Sequence, residues 1–234
     1  MTTMSLLHND QRRLAKAYYI AKYSLLEAGY ADEIDWQYTV SLEHLTEDVF
    51  LREAAWVILS SGMREAVVRK KFPLISQAFF HWEDIEAIVE HQEFCCSTAL
   101  QYFNNPAKIN AIVSIALHIR DHSFHCVLEA LVDKGIEYLQ DFPFIGPVTS
   151  YHLAKNIGFP LAKPDRHLCR IANELGYDCV QTLCSDISDL TEEPIPVIDL
   201  ILWRFATLHQ NYLERFAELL ASLDHRTDTL IQTK

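Results

Sequence analysis

Apolar residues recur along this chain at three- and four-residue steps almost from end to end, and no stretch shows the strict alternation of a half-buried strand. Residues 9–28 place Leu14, Tyr18, Ala21 and Leu25 on one stripe, which predicts a helix. Residues 30–40 are polar with scattered aromatics and read as a loop or short strand. Residues 42–60 run from a Ser-x-x-His step into Ala54-Ala55-Trp56-Val57-Ile58-Leu59, a buried helix that Gly62 ends. A short helix from Arg64 to about Phe72 is expected to stop near Pro73. His81-Trp82-Glu83-Asp84 opens the next helix, with acids in the first turn where the dipole favours them. Residues 95–120 read as helix with a break near 104–106, followed by short helices at 124–133 and 136–141. Then come a hairpin, a helix at 148–157, a loop at 158–164, a helix at 165–175, and helices near 180–190 and 195–222, the last broken near His209. Pro194 and Pro196 suit a first helical turn. With no repeat, low-complexity tract or flexible linker in view, the expected fold class is all-α.

Composition narrows the class. The chain has 234 residues, half of them apolar, enough for one large domain or two interleaved lobes without a disulfide or metal staple. No apolar run reaches the length of a membrane span, and the first residues lack a secretory apolar region. The expectation is a soluble, cytoplasmic protein with no membrane partner. The six cysteines, Cys95, Cys96, Cys126, Cys169, Cys179 and Cys184, form no Cys-x-x-Cys pair and fit no zinc or iron–sulfur spacing, so they read as reduced core thiols and no metal site is expected. The net charge of −12 argues against nonspecific coating of DNA. Local basic clusters survive it. Residues 141–175 carry Lys155, Lys163, Arg166 and Arg170 against three acids, and a second cluster is Arg64, Arg69, Lys70 and Lys71. Such unevenness can steer an anionic partner to one face, or simply mark solvated helix faces.

Two short segments carry candidate chemistry. Phe144-Ile145-Gly146 lies between two helical patterns. Glycine permits a positive φ and a close backbone approach. The helix starting near Val148 presents unpaired N–H groups that suit a phosphate, and Thr149 adds a hydroxyl. A plain helical hairpin turn has the same pattern. In Lys163-Pro164-Asp165-Arg166-His167, Asp165 falls at the start of a helix. It reads either as a cap or as an ionised carboxylate able to stabilise an oxocarbenium-like centre, by the logic of glycoside hydrolysis.

Together the two segments resemble the helix-hairpin-helix DNA glycosylase superfamily, with its endonuclease III-like and alkyladenine glycosylase-like branches. The superfamily motif is Leu/Phe-Pro-Gly-Ile/Val-Gly-x-x-Thr-Ala, followed by a loop and a catalytic aspartate. It stands here as Phe142-Pro143-Phe144-Ile145-Gly146-Pro147-Val148-Thr149-Ser150, with Asp165-Arg166-His167 downstream. The run Ala54–Ser61 followed by Arg64-Glu65-Ala66-Val67 is similar to the superfamily's upstream helix pair, and Lys108 and Ile112 fall in the helix that approaches the motif. The resemblance covers about residues 45–210.

It implies an all-α, two-lobed helix-hairpin-helix glycosylase fold with a DNA cleft between lobes. Residues 1–50 and 158–234 would form the terminal lobe and 51–157 the central one. The target nucleotide would be flipped out of the duplex. Asp165 would be catalytic. Ile145, Gly146, Val148, Thr149, Met63, Arg64, Lys163, Arg166 and His167 would contact DNA, with Met63 as an apolar wedge. Trp56, Tyr151, His152 and Trp203 are candidates to line a base pocket. No cofactor is required, though hairpin carbonyls in this superfamily often hold a monovalent cation. Double-stranded DNA is the expected partner, with no obligate protein partner. Asp199, a charge inside Val197-Ile198-Asp199-Leu200, is expected to pair with Arg204 or a hairpin group.

The departures are informative. Phe144 replaces the first motif glycine. Where lyase-active members carry a Schiff-base lysine, this chain has Val148, and Lys155 and Lys163 are out of register. The resemblance therefore implies a monofunctional glycosylase that leaves an abasic site, in base excision repair or in defence against modified phage DNA. The alternatives are a noncatalytic DNA-binding protein of the same fold, or a bifunctional enzyme using Lys155 or Lys163. Alkylated purines and modified pyrimidines are equally open as the base removed.

Overall fold

The structure is a computed structural model that describes residues 3–221, with side chains from residue 11 onward. Among these residues it is all-α, without a strand. In chain order the helices are α1 (Thr3–Glu27), α2 (Ala31–Thr39), α3 (Glu47–Ser60), α4 (Glu65–Ala78), α5 (Ile85–Glu90), α6 (Gln92–Tyr102), α7 (Pro106–His122), α8 (Phe124–Lys134), α9 (Ile136–Leu139), α10 (Thr149–Asn156), α11 (Arg166–Glu174), α12 (Val180–Thr191), α13 (Ile195–Leu208) and α14 (Tyr212–Ala221). No helix among the described residues is long and apolar enough to cross a membrane.

The chain divides into two compact units. A central unit comprises Val40–Phe159, and a split unit combines the described parts of Met1–Thr39 and Pro160–Lys234. Residues 40–50, read from the sequence as part of the terminal lobe, go with the central unit. Phe50 explains this: it is fully buried, 5.9 Å from the Phe142 ring and 6.0 Å from Phe124.

In the central unit α3 is the hub. Its Leu51, Ala54, Ala55, Val57, Ile58 and Leu59 are buried, and it packs against α4, α7 and α10. Each such aliphatic side chain contributes about 1.5–3 kcal/mol by leaving water. Asn105 starts α7 by accepting from the Lys108 amide at 3.2 Å, with Pro106 in the first turn where its missing N–H costs nothing. α4 corrects one expectation, because it does not stop at Pro73 but runs on to Ala78. The packing of this stretch offsets the broken backbone bond. Ile75 and Ala78 are buried, while Phe72 bridges Trp56 at 5.2 Å and Trp82 at 5.7 Å. Phe80, His81 and Trp82 take three consecutive positive φ values of 49°, 57° and 73°. Such a left-handed turn of bulky residues costs about 1–2 kcal/mol per residue. The burial of Trp82, stacked 5.2 Å from Phe79, compensates it.

In the split unit α13 plays the central part. Val197, Ile198, Ile201, Leu202 and Phe205 are buried, and the helix packs against α1, α2, α11, α12 and α14. Residues 30–40 are a second correction: they form helix α2 and not a loop or strand. Its Ile34 is buried, and its Glu33 binds the Arg204 guanidinium through both oxygens, at 3.0 Å and 2.7 Å. A partner far along the chain holds the helix, so the local pattern underdetermines it.

Candidate functional site

The hairpin of the central unit is built by two buried anchors around an exposed apex. Phe142 is buried among His118 at 5.1 Å, Tyr138 at 5.4 Å and Phe50. His118 also shares a 2.7 Å hydrogen bond with the Tyr138 hydroxyl, and burial lowers the pKa of its imidazole. Ile145 is the second anchor, with 2% of its surface exposed and its N–H donating to the Phe142 carbonyl at 3.1 Å. Between them Phe144 turns outward with φ +66°.

This reassigns the roles of two hairpin residues. The left-handed position is Phe144, the residue that replaces the first motif glycine, whereas Gly146 does not have a positive φ. Nothing lies within 4 Å of a Cβ built on Gly146. Neither backbone conformation nor internal packing therefore requires glycine there, which leaves the surface over Gly146 open to a close external approach. Ile145 is core, with its amide already used inside the hairpin.

Thr149 closes the hairpin internally. Its hydroxyl accepts from the Gly146 N–H at 2.6 Å and lies 3.2 Å from the Phe144 carbonyl. No side chain caps α10. The N–H groups of Val148 and Thr149 precede the first intrahelical bond, as at any helix start, and Val148 is exposed. The carbonyls of Phe142, Phe144 and Gly146 each take an internal donor. Among the described residues no cluster of His, Cys, Asp or Glu could hold a metal ion.

The other end of α10 is tied down. Lys155 and Asn156 are buried, and Asn156 donates to Glu53 of α3 at 2.9 Å. Burial raises the Glu53 carboxyl above its ordinary range despite Arg52 and Asn156. Lys155 has 5% of its surface exposed. Tyr151 and His152 are half-buried on the same helix. Trp56 is half-buried, with Phe72 edge-on at 5.2 Å and the Arg69 guanidinium over its ring at 5.6 Å. Met63 and Arg64 occupy the exposed turn between α3 and α4.

Asp165 lies in the split unit, at the N-cap of α11. One carboxylate oxygen, Oδ1, accepts from the His167 N–H at 2.8 Å and from the Leu168 N–H at 3.1 Å. Oδ2 receives no hydrogen bond among the described residues. The loop before it is held from two sides. Gln181 of α12 bonds both the N–H and the carbonyl of Ala162. Asp199 of α13, 2% exposed, accepts from the Lys163 N–H at 2.6 Å. The Lys163 carbonyl in turn accepts from the Asp165 N–H at 2.8 Å.

Asp199 therefore does structural work on the aspartate loop, while Arg204 binds Glu33 and lies over Tyr30 at 4.8 Å and Trp203 at 4.6 Å. Trp203 offers that ring to an internal cation. Arg166 is exposed and donates to His167 Nε2 at 3.3 Å, which assigns the imidazole proton to Nδ1. Burial lowers the His167 pKa, and its ring packs edge-on to Tyr212 at 5.3 Å.

No protein-family model, curated protein or solved structure matches this chain. Its residues carry the functional reading by themselves. The sequence marks Asp199 as an anomalous buried charge, but neither its bond to the Lys163 amide nor the role of Gln181 is legible there. A polar side chain that binds a distant backbone amide leaves no periodic signal.

Proposed function

We propose that this chain is a monofunctional DNA N-glycosylase. The observation that carries the reading is the state of Asp165. A helix start and two backbone amides fix Oδ1, and Oδ2 is left unshared. The carboxylate sits at the positive end of the α11 helix dipole. A fixed anion of this kind stabilises positive charge developing at a sugar C1′. In the proposed reaction the bond between C1′ and the base nitrogen breaks, and its electron pair leaves with the base. Water then adds to C1′, and the proton it loses passes by way of Oδ2 to the departed base anion, leaving an abasic site, a neutral free base and the carboxylate restored.

The hairpin supports the same reading. Gly146 is open to close approach, and the uncapped start of α10 offers the Val148 and Thr149 amides to a phosphate. Arg64 and Arg166 are exposed cations suited to flanking phosphates. Val148 supplies no amine where a Schiff base would form, and Lys155 is buried.

The test is mass-spectrometric detection of released bases from alkylated, deaminated, oxidised and phage-modified DNA. Asp165→Asn should keep the helix cap, since asparagine accepts the same amides. It should lose base release by about a hundredfold or more. Full activity in that variant would sink the mechanism. DNA binding without release from any substrate would replace it with a noncatalytic reading, and a borohydride-trapped protein–DNA adduct would replace it with a lyase.

A further inference from the structure

Helix α1 divides its residues between two faces. Leu14, Ala17, Tyr18, Ala21 and Leu25 are buried in the core of the split unit. On the opposite face stand Tyr19, Ile20, Tyr23 and Leu26, all exposed, with Tyr23 keeping 66% of its surface in solvent. The outer face of a surface helix is ordinarily polar. Four large apolar side chains at helical spacing on that face form a contiguous stripe, the kind of surface that marks an interaction site.

The edge of the stripe is fixed from within the unit. The Tyr19 hydroxyl donates to the Thr191 carbonyl at 3.2 Å. Lys22 pairs with Glu193 at 2.5 Å and donates to the Tyr38 hydroxyl at 2.7 Å. The Tyr38 ring, also exposed, carries the apolar surface from α1 onto α2. Two of the hydroxyls are thus held by the chain itself, and their rings are what the surface offers. A patch already ordered loses little side-chain freedom when it is covered.

The charges on the same face indicate what covers it. Lys16, Ile20, Tyr23 and Glu27 follow one another at steps of four, three and four, the spacing of a two-helix seam. Arg12 and Lys16 make one end of the face basic, and Glu27 makes the other end acidic. Neither Lys16 nor Glu27 has an opposite charge three or four residues away on α1, which is the reach of a pair within a helix. A second α1 running antiparallel answers both. Lys16 then faces Glu27 of the second copy, Ile20 faces its Tyr23, and the two-fold axis repeats each contact. A parallel copy would set Lys16 against its own equivalent.

We propose that this chain forms a two-fold dimer through antiparallel pairing of its α1 helices, with Ile20 and Tyr23 at the centre and Lys16 and Glu27 at the ends. The interface is independent of the glycosylase reading. A single helix pair is a small interface, so the dimer dissociates at a concentration on the order of 10 μM.

The test is sedimentation of the full chain over a dilution series from about 1 μM to about 500 μM. Wild type should pass from monomer to dimer. Tyr23→Ser, which removes no buried side chain, should keep its helicity and raise the dissociation constant about tenfold or more. Lys16→Glu and Glu27→Lys should each raise it about threefold or more at low salt. The variant carrying both exchanges should return to the wild-type constant. A chain that is monomeric throughout overturns the dimer and leaves the stripe to a different partner. A dimer that Tyr23→Ser leaves unchanged overturns the assignment of this face. A double variant no tighter than the single ones overturns the antiparallel pairing.

Discussion

The two helix starts at the heart of this protein are built in opposite ways. At α11 the chain supplies its own anion, since Asp165 Oδ1 takes the His167 and Leu168 amides. At α10 no side chain caps the helix, and Thr149 turns its hydroxyl back into the hairpin. A helix start capped from within spends two of its donors on its own carboxylate, and it holds that carboxylate while displaying the second oxygen. One left uncapped keeps its donors for a ligand. The same local element thus yields an anion holder in one unit and a candidate anion receptor in the other.

The largest effect that would test this contrast lies in the glycines flanking α10. A Cβ on Gly158, at φ +106°, would clash with the backbone of Ser41 and Leu42, whereas one on Gly146 meets open space. Gly158→Ala should therefore cost roughly 3 kcal/mol or more in chemical denaturation. Gly146→Ala should stay within about 0.5 kcal/mol while weakening DNA binding. Equal losses would erase the distinction between a closed and an open end of α10.

Asp199→Leu leaves the Lys163 amide without its buried acceptor and should cost about 1–3 kcal/mol, whereas Asp199→Asn keeps an acceptor and most of the stability. Urea unfolding of the pair would show whether the aspartate loop is held as described. At the cap itself Asp165→Ala should cost about 1 kcal/mol and Asp165→Asn far less. A cap that contributes nothing would mean that α11 is fixed by packing alone.

The smallest effect concerns pH. Burial raises the Glu53 carboxyl in the folded chain, so the folded state holds that proton more tightly than the unfolded state does. The stability from this group is full below the ordinary glutamate pKa and is lost as pH rises through the raised folded value. Glu53→Gln keeps an acceptor for Asn156 and should remove the dependence. Relative to wild type the variant should gain stability as pH rises above the ordinary glutamate range in thermal or urea melts. A parallel pH profile for the two proteins would show that the carboxyl is not raised.

Most of the helices were legible because burial repeats with the helical period, as in α3 and α13, and because Asn105-Pro106, Asp165 and Pro194 mark helix starts in any context. The exceptions share a cause. Helix α2 rests on Glu33 meeting Arg204, and α4 passes Pro73 because Phe72 and Ile75 pack against partners that the local pattern does not name. The hairpin's position was also legible, but its conformation was not: Phe144 takes the left-handed angle that glycine was expected to supply.

By itself the sequence determined the all-α class, the helix starts and the placement of one aspartate after a hairpin. All of these follow from short-range sterics and hydrogen bonding. The tertiary structure alone decided that Asp199 and Gln181 hold the aspartate loop, and that Lys108 joins the α3–α4 turn to Phe144. Those contacts link residues far apart in the chain, and only the packed core sets the geometry that lets a buried polar group find its partner.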